Sequence, residues 1–249
     1  MNNTSYADSH KENGKGASYD AHYADKYSWD GFLWSREQAA LLKIFDTYYR
    51  GRKIELLDFA CGTGRITAFL EDHTAISTGI DVSDTMLNEA RKKLRRTEII
   101  QADITQNDIL GDRKFNLITA FRFFLNAEPA LRKNVIKALA HHLSEDGYLV
   151  FNNHHCLNSP WIKLYYWRHL KKSPDSVFNV MTIAQMKELV ENVGLEIVRI
   201  YPIGYFHPPP RIKIPNFINN TIDDIASRIN VLKSFSENPI AVCRRRKNG

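Results

Sequence analysis

Three acids, two glycines and a pair of histidines carry the spacing from which chemistry could be built in this chain. Glu55-Leu56-Leu57-Asp58-Phe59-Ala60-Cys61-Gly62-Thr63-Gly64-Arg65-Ile66-Thr67 runs from an apolar stretch (Ile54, Leu56, Leu57, Phe59) into small residues and two glycines. Apolar residues of helical spacing then begin at Ile66, Phe69 and Leu70. The pattern predicts a strand, a tight turn and a helix. Glycines there let backbone N–H groups approach a ligand, and the positive helix end favours a negatively charged group. Asp81 closes the next apolar strand seventeen residues after Gly64, where a ribose-binding carboxylate belongs. Asp103 follows a third short strand. Behind the fourth and fifth strands lie Phe121-Arg122-Phe123-Phe124 and Asn152-Asn153-His154-His155. Either His154 or His155 could serve as a base, because imidazole titrates near neutral pH, or could hydrogen-bond a loop. Arg122 could hold a carboxylate, phosphate or sugar, or sit in an ion pair.

The elements that must position these groups alternate. After the glycine turn come a helix to about residue 73, a strand over 75–80 and a helix over 84–94 that Ser83 can cap. Strands follow at 98–101, 115–121 and 147–152, with a helix over 130–143 whose start Pro129 suits. Thr182 and Gln185 form a capping box for a helix that ends at Gly194. Two more strands are expected at 195–203 and 239–244, and an amphipathic helix over 34–49 precedes the first strand. Such alternation implies a doubly wound sheet that binds ligands at the carboxyl ends of its strands. Residues 1–16 read as a disordered tail and 17–249 as one domain.

Two insertions, about 157–180 and 206–238, interrupt the pattern and are expected to govern substrate choice. The first holds Trp161-Ile162-Lys163-Leu164-Tyr165-Tyr166-Trp167-Arg168-His169-Leu170-Lys171-Lys172, aromatic, basic and helical in spacing. It reads first as a lid over the substrate, then as packing, then as an interfacial membrane helix. The second opens with Pro208-Pro209-Pro210 and carries a helix with Ile222, Ile225, Ile229 and Leu232, which Thr221 and Asp224 can cap.

Composition narrows the class. The 249 residues suit one α/β domain with insertions, and 43% hydrophobic content supports a globular core. No apolar run approaches the ~20 residues that span a bilayer. The polar N-terminal stretch has no signal-peptide core, and three scattered cysteines make neither a disulfide framework nor a zinc cluster, so a cytoplasmic location is expected. Net charge is +6, concentrated in Arg91-Lys92-Lys93-Leu94-Arg95-Arg96 and Arg244-Arg245-Arg246-Lys247. The first cluster falls where cations suit a helix C-terminus, so solvated structural roles are favoured over nucleic-acid contact.

A nicotinamide or flavin fingerprint would place a third glycine where this chain has Thr67. The acid at 58 followed by Ala60, Gly62 and Gly64 instead resembles motif I of the class I S-adenosylmethionine-dependent methyltransferases, and the likeness runs well over about residues 50–155. The resemblance implies a Rossmann-like seven-stranded α/β sheet with helices on both faces, its last strand antiparallel beside the sixth. It implies S-adenosyl-L-methionine as cofactor and S-adenosyl-L-homocysteine as product. Ala60, Gly62 and Gly64 would pass close to the methionine part, and Asp58 would orient the loop and the amino group. Asp81 would accept both ribose hydroxyls, a bidentate task suited to a carboxylate. Val82 and Met86 would flank the adenine, Asp103 would take its exocyclic amine, Ile104 would cover the ring, and Phe121 would face the methyl end. Small-molecule members often carry a tyrosine segment before motif I that closes the cofactor cleft. Here Tyr19 and Tyr27 are its candidates, in a stripe Tyr19, Tyr23, Tyr27 on one helical face.

Absences sharpen the expected reaction. No Asn/Asp-Pro-Pro-Tyr follows strand four, which argues against amino methylation of adenine or glutamine, and no Pro-Cys points to cytosine C5. Position 121 is Phe where metal-dependent catechol-type enzymes place an acid, so no catalytic metal is expected. The expectation is methyl transfer to oxygen, or nitrogen, of a small-molecule or glycan-like acceptor. An RNA or protein methyltransferase, or a non-catalytic S-adenosylmethionine-binding partner protein, are the competing readings.

Overall fold

Alternate residues of the central strands point into two separate cores, and this sorting sets the layers. Leu57, Ile118, Leu149 and Ala241 face one cluster, while their neighbours Leu56, Leu117, Val150 and Val242 face the other. Buried on both faces, these strands read as near-continuous apolar runs, as a sheet covered by helices on each side requires. The computed structural model describes residues 20, 23–25, 27–172, 179–206 and 216–247. The expected tail over 1–16, Tyr19 and Pro208–Pro210 lie outside the described residues.

The element order is α1 (Trp29–Tyr48), β1 (Glu55–Phe59), α2 (Arg65–Leu70), a 3-10 turn (Glu71–His73), β2 (Ile76–Asp81), α3 (Asp84–Lys93), β3 (Glu98–Gln101), β4 (Phe115–Ala120), α4 (Pro129–His142) and β5 (Leu143–Asn152). Then come α5 (Pro160–Lys172), α6 (Ile183–Glu191), β6 (Leu195–Tyr201), α7 (Asn216–Arg228), a 3-10 turn (Leu232–Phe235) and β7 (Ile240–Arg245). The seven strands form one sheet in the order β3-β2-β1-β4-β5-β7-β6. β1 to β5 pair in parallel, and β7 inserts antiparallel between β5 and β6. This is the sheet that the family resemblance implied.

Local chemistry sets the boundaries. Ser28 caps α1 by accepting the Gly31 N–H, so that helix starts at Trp29, five residues before the expected Trp34. Thr182 and Gln185 complete the expected capping box on α6, and Ser83 caps α3. β5 begins at Leu143 rather than Gly147, because Leu143 already pairs with Phe115 across a register shift in β4. α7 starts at Asn216, which places Thr221 and Asp224 inside it rather than at a cap. The Thr221 hydroxyl donates to the Phe217 carbonyl, and Asp224 pairs with Arg36 at 2.7 Å.

Among the described residues, non-glycine residues with positive φ are Ala60 (53°), Arg122 (61°) and His155 (60°). All three follow the carboxyl ends of strands, β1, β4 and β5 respectively. Left-handed backbone at a bulky residue costs free energy and collects at functional sites. The sheet's carboxyl edge is therefore the place to look.

Candidate active site

The turn after β1 is built around Gly64, whose φ of +75° and close neighbours both exclude a side chain. A Cβ there would lie 3.1 Å from Ala90 Cβ and 3.1 Å from Leu94 Cδ1 on α3. The Gly62 N–H donates 2.8 Å to Asp81 Oδ2, and the Ser83 N–H donates 2.9 Å to Asp81 Oδ1. Asp81 therefore ties the glycine turn to the start of α3. A carboxylate oxygen can accept more than one hydrogen bond, so Asp81 can serve a ligand as well as the turn.

Below the turn lies Asp58, 1% exposed, whose carboxylate accepts from the hydroxyls of Thr67 on α2 and Thr119 on β4. Burial pushes its carboxyl up to about 6, against the opposing pull of the two threonine bonds and of Arg65. Asp58 lines the cleft floor and supports the turn through Thr67.

Two adjoining cavities open at the carboxyl edge. The first, open to solvent, is lined by Tyr23, Asp58, Ala60 to Thr63, Arg65, Ile66, Asp81, Met86, Phe121, Arg122, Asn126 and His154. The second, mostly apolar, is bounded by Phe59, Ala60, Asp81, Val82, Ala102, Asp103, Phe123, Leu131 and Val135. They meet at Ala60 and Asp81. Asp103 Oδ1 accepts from both the N–H and the hydroxyl of Thr105, at 2.9 and 2.6 Å. Ile104 is 6% exposed and packs in the core beside this cavity rather than lining it.

The far end of the first cavity is cationic and aromatic. The Arg65 guanidinium stacks on the rings of Tyr23 (4.1 Å) and Trp34 (4.3 Å) and pairs with buried Glu37 at 2.9 Å. Arg122 lies 5.3 Å over the same Tyr23 ring and pairs with Asp30 at 3.3 Å. The Arg122 N–H donates 2.7 Å to Asn152 Oδ1 at the end of β5, which holds the left-handed backbone in place. His154 is 6% exposed. Its buried Nδ1 has no hydrogen-bond partner among the described residues. Burial first, then the charges of Arg122, His155 and Arg65, push it well below the usual histidine range, so the ring is neutral.

Four expected site residues, Tyr27, Gly64, Ile104 and His155, line neither cavity. Tyr27 is 68% exposed, and the aromatic in the cleft is Tyr23. The chain turns between them: Asp25 accepts the Tyr27 N–H on its side chain and the Ser28 N–H on its carbonyl, which takes Tyr27 off the face that Tyr23 presents. His155, in its left-handed conformation, lines neither cavity, although its ring centroid lies 5.6 Å from that of His154. The Nδ1 of His155 lies 3.3 Å from the Tyr166 hydroxyl of α5 and its Nε2 3.8 Å from Glu237. Lining residues to which sequence reasoning gave no role include Thr63, Arg65, Ile66 and Asn126, while Tyr23 and Phe123 were named only within the tyrosine stripe and the segment after β4. Arg65 had a readable signal, as the first helical residue after the glycine turn; Asn126 had none. The described part of the first insertion, α5, contributes no lining residue to either cavity. Among the described residues no group of three or more His, Cys, Asp or Glu could hold a metal ion.

Comparisons with known proteins agree with this geometry. A family model described as a methyltransferase domain matches residues 56–147. A candidate methyltransferase of Geobacillus sp. (strain WCH70) is 29% identical over 121 residues, 47% of this chain and 49% of that protein. The carboxy-S-adenosyl-L-methionine synthase of Sulfurimonas denitrificans is 29% identical over 148 residues, 55% of this chain and 60% of that one. These alignments thus span about half to three-fifths of the length of the curated relatives. Among solved structures, magnesium protoporphyrin IX methyltransferase from Synechocystis PCC 6803, with bound S-adenosylhomocysteine, superposes with a TM-score of 0.64 at 13% identity. That match covers 94% of this chain and 95% of the other. An S-adenosylmethionine-dependent methyltransferase from Clostridium acetobutylicum gives 0.61 at 18% identity, covering 93% and 99%. At such identities the superpositions establish the fold. Residues 56–147 match a methyltransferase-domain model, and the seven-stranded sheet that carries them has the fold of S-adenosylmethionine-dependent methyltransferases.

Proposed function

We propose that this chain transfers a methyl group from S-adenosyl-L-methionine to an oxygen, or a nitrogen, of a small-molecule or glycan-like acceptor in the cytoplasm. The observation that carries the reading is the pair of cavities meeting at Asp81 and Ala60, one apolar and ending at Asp103, the other polar and ending at Arg122 and His154. When bound, the cofactor supplies an electrophilic sulfonium methyl group.

The chain's own residues divide the remaining work. Asp81 accepts the ribose hydroxyls while its backbone partners fix its orientation. Asp103 accepts the adenine amine; both Thr105 bonds go to Oδ1, which leaves Oδ2 for that task. Val82 lines the second cavity and Met86 the first, and both give the adenosine apolar contact. Ala60, Gly62 and Gly64 bring backbone close to the methionine part, with Asp58 bracing the turn from below. Phe121, Tyr23 and Asn126 shape the acceptor end. His154 is the candidate base: its neutral ring takes a proton from an acceptor hydroxyl against the burial and neighbouring charges that disfavour the imidazolium, and its orphaned buried nitrogen is a group that a ligand can satisfy. Methyl transfer then depends mainly on positioning.

The basic clusters support a small acceptor over RNA, because acids of this chain already engage them. Arg91 pairs with Asp84, Lys92 with Glu89, Lys93 with Asp20, and Arg95 and Arg96 with Asp72. Arg244, Arg245 and Arg246 meet Glu196, Glu145 and Glu191. Three buried, unbridged cysteines suit a reducing compartment. The test is incubation of the full chain with methyl-labelled S-adenosylmethionine and extracted metabolites, with His154→Ala in parallel. Label is expected in a small-molecule product, and His154→Ala should slow its formation about a hundredfold with S-adenosylhomocysteine affinity unchanged. Label confined to RNA or protein, or none in any fraction, would overturn the reading; undiminished transfer by His154→Ala would remove the base.

A further inference from the structure

Ten of the fourteen large hydrophobic residues that are exposed among the described residues lie in the two insertions. α5 shows Trp161 (42% exposed), Tyr165 (54%), Trp167 (53%) and Leu170 (40%) to solvent, while Ile162 is buried and Tyr166 reaches His155. α7 and the turn after it show Phe217, Ile218, Ile225, Ile229, Val231 and Phe235. The two helices are neighbours through one short segment. The Phe206 ring packs edge-on against Trp161 at 5.3 Å, and the preceding Gly204 and Tyr205 N–H groups donate to Asp223 of α7. Neither cavity uses any of these exposed side chains.

Charge decides what covers this face. The thirteen residues of α5 include no acid, and Lys163, Arg168 and Lys171 stand exposed among its aromatic side chains. Lys171 Nζ sits 3.7 Å over the Trp167 ring, so cation and indole occupy the same outer surface. Tryptophan and tyrosine with an apolar body and polar edge, interleaved with long basic side chains, match the level of lipid headgroups. A helix of this kind lies in the interface plane, held by buried apolar area and by attraction to anionic lipid.

We infer that α5, flanked by the apolar face of α7, docks this protein on an anionic lipid bilayer surface. The docking is peripheral: no helix among the described residues is long and apolar enough to cross a membrane. It goes beyond the proposed reaction and stands without it, because vesicle binding is read with no cofactor or acceptor present.

The test is co-sedimentation of the full chain with vesicles of phosphatidylcholine alone or mixed with phosphatidylglycerol, at low and moderate salt. With each basic residue near the surface contributing about fivefold, three predict binding to the mixed vesicles on the order of a hundredfold tighter, weakening as salt rises. Trp167→Ser and, separately, Lys163→Glu with Lys171→Glu should each reduce that binding about tenfold or more. A matched reversal on α4, Lys133→Glu with Lys137→Glu, should change it less than about threefold. Exposed positions are chosen so that folding survives, checked by thermal unfolding. Equal or absent binding to the two vesicle types would overturn the inference, as would an α4 reversal that weakens binding as much as the α5 one. A dimer by light scattering that Trp167→Ser dissolves would show that a second copy covers this face instead.

Discussion

Replacing Asp81 by Asn keeps the side chain's size and removes its charge, which isolates what the carboxylate does. Its two oxygens receive the N–H groups of Gly62 and Ser83 at 2.8 and 2.9 Å. An amide has one oxygen, so in Asp81→Asn either Gly62 or Ser83 meets a donor rather than an acceptor. The two ribose hydroxyls of the proposed complex lose a charged acceptor as well. Hydrogen bonds to a charged group contribute about 1.5–3 kcal/mol each, and asparagine retains part of the pair. A net loss of about 3 kcal/mol corresponds to roughly a hundredfold weaker S-adenosylhomocysteine binding by calorimetry. Asp103→Asn is the internal comparison: the amide oxygen still accepts a single bond from the adenine amine, and the loss should be about tenfold or less. An Asp81→Asn protein of unchanged thermal stability that binds within about threefold of the original would refute both the ribose assignment and the bond count behind it.

Two further outcomes follow from the same turn. Gly64→Ala and Gly51→Ala both force alanine to φ near +75°, but only at Gly64 does the new Cβ meet neighbours, at 3.1 Å. Gly51→Ala should therefore cost about 1 kcal/mol and Gly64→Ala about 1–2 kcal/mol more in urea unfolding; equal losses would sink the packing argument. Asp58 sets a pH dependence. Its folded value is raised from 3.8 to about 6, so its contribution to stability is fully present below about pH 3.8 and is lost as pH rises through about 6. That rise is about 2 pH units, or about 3 kcal/mol. Asp58→Asn, with no charge to bury, should gain on the original protein by up to that amount between about pH 4 and pH 7. An offset between the two proteins that stays constant over that range would refute it.

How much of this was legible depended on the range of the interaction. The β1 turn, the two acids at the ends of β2 and β3, and the caps at Ser83 and Thr182 are local: an apolar run, small residues and a polar side chain three residues from its partner. They read directly because the physics that forms them acts over a few residues. The antiparallel β7 came from family likeness, since periodicity carries no strand direction. The tyrosine stripe shows where local reading fails. Tyr19, Tyr23 and Tyr27 share a helical face only while the helix lasts, and the turn at Asp25 ends it, leaving Tyr23 between Arg65 and Arg122. His154 and His155 were equivalent in the sequence, and a single left-handed residue separated a buried, neutral ring from one held by Tyr166.

Glu37 had no legible role, because a glutamate in the middle of α1 reads as surface. It is fully buried and satisfied three times over, by Arg65 at 2.9 Å, Asn238 at 2.9 Å and Asn152 at 3.2 Å. Asn152 in turn accepts the Arg122 N–H and donates to Asn238 Oδ1 at 2.8 Å. A buried charge persists only with such partners, since leaving one unpaired costs several kcal/mol. The partners come from α2, from the end of β5 and from the segment just before β7, so none could be paired with Glu37 before the sheet was assembled. The consequence falls on the cleft. Both arginines at the acceptor end hang on one network, Arg65 by its guanidinium and Arg122 by its backbone. Sheet assembly itself therefore anchors both residues at the cleft, so in the proposed complex the acceptor would meet arginines placed before it arrived.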